Sequence, residues 1–100
     1  MAEVIPLRMS KPMALAHIHE LAADSNRIVV IAHGRQRQNE RNITRRQIEQ
    51  CLRAGIIAEG PFLNNFGNWQ VTMEAYSAGE ELTCVVAIEW ASRLLVITVY

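Results

Sequence analysis

Two cysteines in 100 residues, Cys51 and Cys84, are too few and too far apart for a disulfide framework. Neither has the neighbouring ligands that a zinc site needs, and each sits inside a hydrophobic pattern, so both are expected to be buried free thiols. Net charge is also missing. Ten basic residues cancel ten acidic ones, which leaves no overall field to draw nucleic acid or a membrane surface. No apolar run approaches the ~20 residues of a membrane-spanning helix. The opening MAEVIPLRMS has an acidic third residue and no continuous apolar stretch, which argues against a secretory signal and for a cytoplasmic location. Internal repeats and low-complexity tracts are absent. What is present is ordinary for one globular domain, with half the residues hydrophobic and 20% charged.

The cancelled charge hides an asymmetry. Between Arg27 and Arg53 stand seven arginines against only Glu40 and Glu49, while the rest of the chain sets three basic residues against eight acidic ones. Every cation of the basic stretch is arginine, whose planar fork suits phosphate and carboxylate. Such a stretch can gather phosphates on a neutral molecule. It can equally be a solvated helix face whose arginines pair with acids elsewhere in the fold.

Secondary structure follows from periodicity and caps. Ser10 followed by Pro12 starts a helix, with Leu15, Ile18, Leu21 and Ala22 at helical spacing, and Asp24-Ser25-Asn26 ends it in a turn. Residues 27–32 (RIVVIA) form a short β-branched strand. The polar segment 33–41 has no apolar residue and is expected to be a helix or turn on the surface. Thr44 and Gln47 make a capping box, Ile43 and Ile48 a hydrophobic staple, and Gly55 a left-handed stop, giving a helix over 45–54. Residues 58–68, rich in Gly, Pro and Asn, read as a loop anchored to the body by Phe62, Leu63 and Phe66. Alternation from Trp69 to Tyr76, a hairpin turn at 77–80, and strands at 81–89 and 93–100 around the turn 90–92 complete the chain. The expected architecture is α+β. One domain, residues 1–100, has N-terminal helices on one face of a four-stranded, mainly antiparallel sheet, with 1–26 as a helical extension of a core at 27–100.

One constellation has the makings of chemistry. His33, Arg37 and Arg41 are spaced i, i+4, i+8, and each step of four turns only ~40° round a helix, so the three share a face. An imidazole moves a proton near neutral pH, and guanidiniums hold a phosphate and stabilise the charge that builds on it. On the same logic Arg35, Arg45 and Arg46 would steer a nucleic-acid strand, with Tyr76 and Thr98 as further substrate contacts. The plain alternative is that His33 ends the strand and the arginines are solvated. His17, His19 and Glu20 do not make a metal site, because helical residues two apart point ~200° apart and cannot share an ion; no metal and no cofactor are expected. Trp69 shares parity with Val71 and Met73, which favours core packing over base stacking.

His33-x-x-x-Arg37-x-x-x-Arg41-x-Ile43-Thr44, the capped helix ending at Gly55 and the meander closing on Ile97 to Tyr100 resemble the domain-of-unknown-function family 4258. That family is a small bacterial domain related to RelE-like toxins and grouped with the ribonuclease-like fold of barnase and colicin-type toxins. The resemblance covers about residues 27–100. It implies a RelE/barnase-like fold and a metal-independent ribonuclease-like domain of toxin–antitoxin type, an endoribonuclease with RNA and an antitoxin protein as partners. By motif position His33, Arg37 and Arg41 would be its catalytic residues. Gly34 departs from the pattern, which more usually has alanine there. The competing expectation is a catalytically inactive module that docks an acidic partner through its basic helix, or forms a homodimer through the edge of its C-terminal strand LLVITVY.

Overall fold

A computed structural model describes residues 6–77, 79–90 and 92–100. Ser10 caps α1 (Lys11–Ala22) by accepting the Met13 N–H, and Ala14, Ile18, Leu21 and Ala22 form its buried stripe. Asp24 then caps a 3-10 turn at Ser25–Arg27, which leads into β1 (Ile28–Val30). Ile31 opens α2 (Ala32–Glu40), so the strand is shorter than expected and the polar segment is a helix. Asn42, at φ 54°, turns the chain into α3 (Arg45–Ala54). The capping box of Thr44 and Gln47 is present in both directions. Gly55 is corrected: its φ of −75° is not left-handed. Glycine is needed there because a Cβ would come 2.7 Å from the Glu74 carbonyl, where the helix end meets the sheet.

The sheet has five strands, not four. To β1 are added β2 (Ile56–Leu63), β3 (Trp69–Ser77), β4 (Glu80–Glu89) and β5 (Arg93–Val99), in the spatial order β1-β5-β4-β3-β2. The β1–β5 pair is parallel and the others are antiparallel. The strand missed by sequence is β2, which overlaps the expected loop at 58–68. Gly60 and Pro61 speak against a strand interior, but β2 is an edge, where one side of the backbone needs no partner. Register shifts flank Glu59 and accommodate both residues. The anchoring role of Phe62, Leu63 and Phe66 is also corrected, since all three are exposed. The turns placed at 77–80 and 90–92 fall partly on Ala78 and Ala91, which lie outside the described residues.

The alternation of β3 and β4 sets one face of the sheet against the helices. Val71, Met73, Cys84, Val86, Ile88, Leu94 and Val96 meet Ile18, Ile48 and Leu52 in one core. Trp69 packs against that core and donates its indole N–H to the Pro6 carbonyl at 2.9 Å. The C-terminal strand is not an edge. Its β5 lies between β1 and β4, which removes the open edge on which strand pairing with a second copy was expected. No helix among the described residues is long and apolar enough to cross a membrane.

Candidate functional site

Helix α2 is unlike the other two. Its only buried residue is Gly34, so no apolar stripe holds it to the body. It is held by close approach. The Ile31 N–H continues the β1–β5 ladder by donating to the Val96 carbonyl at 3.1 Å. One turn later Gly34 lies against β5 so closely that a Cβ would sit 2.8 Å from the Val96 oxygen and 3.0 Å from Val30 Cγ1. Arg35 Nε reaches back to the Val30 carbonyl at 3.0 Å. Gly34 therefore lets this helix lie against the end of the sheet.

Of the rest of α2, Arg37 and Gln38 are half-buried and the other side chains are exposed. His33 stands exposed in the first turn, and no side chain caps the helix N-terminus at Ile31. The first-turn N–H groups of Ala32, His33 and Gly34 thus have no side-chain acceptor from a cap. Arg37, one turn on, is half-buried; an end nitrogen of its guanidinium lies 3.7 Å from Glu40, and its Nε is buried with no hydrogen-bond partner. Arg41 is the C-cap of α2 and lines a recess of about 70 Å³ with Gln47, Glu80, Glu81 and Tyr100. Eight residues of helix separate it from His33, about 12 Å along the axis. The three side chains thus form a stripe. His33 and Arg37 lie one turn apart on it, and Arg41 a further turn on, beside Glu80 and Glu81.

The other candidates divide. Arg46 is exposed on the first turn of α3 and makes no ion pair among the described residues. Arg45 is taken up by the fold. Its NH2 nitrogen donates to the Ser25 and Ile28 carbonyls at 2.9 and 2.7 Å, and its Nε pairs with Glu49 at 2.9 Å. Arg53 does likewise, through the Ala22 carbonyl and Glu49. Tyr76 is exposed on β3, two strands from β5, and lines a different recess with Gln47 and Ile56. Thr98 is half-buried on β5 opposite Val85. Among the described residues no hydrogen bond joins either of them to His33. Among the described residues no three His, Cys, Asp or Glu side chains gather into a metal-holding group; His17 stacks edge-on against Trp90 at 4.4 Å. Cys51 and Cys84 are free and buried, and the contact with Cys51 together with burial pushes the Cys84 thiol up, away from nucleophilic use.

Glu49 is the electrostatic centre of the arginine pair. The Ser25 hydroxyl donates to it at 2.6 Å and Arg45 and Arg53 flank it, which together hold its carboxyl below the usual range despite partial desolvation. A carboxyl lowered on folding stabilises the protein above its unfolded value, near ~4.3. That contribution is lost as pH falls through the lower folded value. Glu49→Gln should therefore cost about 1 kcal/mol at neutral pH. It should also flatten the loss of stability on acidification, as read from urea midpoints between neutral pH and the acid limb. A variant with an unchanged acid limb would show that Glu49 does not contribute to it.

The molecule so described is a small α+β domain whose polar helix is fitted onto the end of a five-stranded sheet by one glycine. Residues 30–100 match the family described as Domain of unknown function (DUF4258), and the chain belongs to that family. No curated protein and no solved structure matches it significantly.

Proposed function

We propose that the chain is a ribonuclease-like domain of toxin–antitoxin type that binds and cleaves RNA without a metal ion. The observation that supports it is the α2 stripe: an exposed imidazole at an uncapped helix N-terminus, followed one turn later by a guanidinium with an unpartnered Nε. In this reading the early N–H groups of α2 and Arg37 hold the scissile phosphate. His33 takes the proton from the ribose 2′-hydroxyl. The 2′-oxygen then bonds to phosphorus, the bond to the 5′-oxygen breaks, and that oxygen leaves with a proton from solvent. Arg41 and the exposed Arg46 hold the strand on either side of the cut. A cytoplasmic location goes with this function. Purified protein incubated with RNA in the presence of a chelator should release fragments ending in 2′,3′-cyclic phosphate. Intact RNA across single-stranded and structured substrates would refute cleavage.

A further inference from the structure

The sheet face turned away from α1 and α3 carries a groove of about 930 Å³, in the range of small-ligand sites. Ile31, Ala87, Leu95 and Ile97 line it on the α2 side. Ile31 is the residue on which α2 begins, and the Ile97 carbonyl lies under Gly34. The groove therefore starts where the proposed phosphate site starts. Its opposite wall comes from the end of β2 and the 64–68 turn, where Phe62 is 51% exposed and Phe66 89%.

That wall is ordered before anything binds. Asn64 Oδ1 accepts the Phe66 and Asn68 N–H groups at 2.9 and 3.0 Å, and its Nδ2 donates to Gln70 Oε1 at 3.0 Å. Asn65 and Asn68 also line the groove, and their side-chain amides make no hydrogen bond among the described residues. The one carboxylate of the lining, Glu89, is held by Arg93 at 2.6–2.7 Å. The groove thus offers phenyl faces, neutral amides and a neutralised acid.

We infer that it is a nucleobase subsite, which takes one base of a single-stranded RNA whose phosphate lies at His33 and Arg37. The inference rests on the proposed RNA-cleaving function and adds to it what reads the base. A base has two apolar faces and a polar edge, matching phenyl walls and an amide rim. A lipid chain would leave those amides unpaired. An extended peptide would seek a strand edge, whereas this groove lies on a face whose backbone groups are committed to the β3–β4–β5 ladders.

The test compares the full chain with Phe66→Ala, whose side chain lies outside the core, and circular dichroism checks that the variant folds. The probes are an RNA of about ten nucleotides whose 2′-O-methyl groups block cleavage, a 2′-O-methyl abasic ribose-phosphate oligomer of the same length, and free nucleosides. The RNA should bind more tightly than the abasic oligomer. Phe66→Ala should weaken RNA binding about tenfold and leave abasic binding unchanged. Nucleosides should shift the amide resonances of residues 62–70. Equal affinity for RNA and the abasic oligomer, or an RNA affinity untouched by Phe66→Ala, would overturn the subsite and leave the phosphate reading standing. Nucleoside binding that Phe66→Ala abolishes, with no affinity for either oligomer, would sustain the groove and refute the phosphate site. A dimer that Phe66→Ala dissociates, without effect on RNA, would assign the groove to a second copy and overturn the inference.

Discussion

Replacing His33 by alanine should lower RNA cleavage by about 10²–10⁴-fold, the usual contribution of a positioned general base. RNA binding should change far less. On the proposed reading most of the affinity would come from contacts with phosphate, made by Arg37, Arg41 and the N–H groups of α2. The side chain is exposed and makes no packing contact that the core depends on, so stability should stay within about 0.5 kcal/mol of wild type. A paired measurement of cleavage rate and affinity therefore separates a proton-transfer role from a merely cationic one. Induced expression gives the cellular counterpart, with growth slowed by the wild-type chain and restored by His33→Ala. Cleavage by the variant at the wild-type rate would place the chemistry elsewhere, and parallel loss of rate and affinity would make His33 a binding group.

The same i, i+4, i+8 spacing occurs twice in the basic stretch, and comparing the two shows what spacing does not encode. His33, Arg37 and Arg41 follow it along α2, while Arg45, Glu49 and Arg53 follow it along α3. Arg45 and Arg53 of the second set donate to the carbonyls of Ala22, Ser25 and Ile28, at the end of α1, in the 3-10 turn and on β1, and so close that junction. Among the described residues the side chains of the first set donate to no backbone carbonyl. Which face of a helix looks onto the body depends on contacts distant in sequence, so Arg45 read as a substrate contact until its partners were known. Local signals fared better where local physics decides. The Thr44–Gln47 box, the Ser10 cap and the β3 alternation each fix an element with their own neighbours. The β2 strand owes its form to pairing with β3, which no local composition announces. The run LLVIT carried a signal that could have been used, because a continuous apolar run is the mark of a strand flanked by neighbours, as β5 is.

Gly34 is where local and tertiary physics pull in opposite directions, and substitution there should show which prevails. Helix propensity alone makes Gly34→Ala stabilising by about 1 kcal/mol. The packing says otherwise. The new methyl would come within 2.8 Å of the Val96 oxygen and 3.0 Å of Val30 Cγ1, one of them the backbone of an interior strand that cannot yield without disturbing its ladders. Overpacking of this kind costs about 1–3 kcal/mol, so Gly34→Ala should come out destabilising despite the propensity gain. Gly34→Val adds two further methyls with no propensity gain and should cost about 3 kcal/mol. At roughly 4–8 °C per kcal/mol for a domain of this size, the melting temperature should fall by well over 10 °C. The cheapest relief is for α2 to lift off β5. That would carry His33 away from Ile31 and Ile97, so cleavage should drop further than the loss of folded protein explains. A Gly34→Ala variant more stable than wild type would mean that α2 does not lie on β5 at this distance, and the juxtaposition of phosphate stripe and groove would go with it.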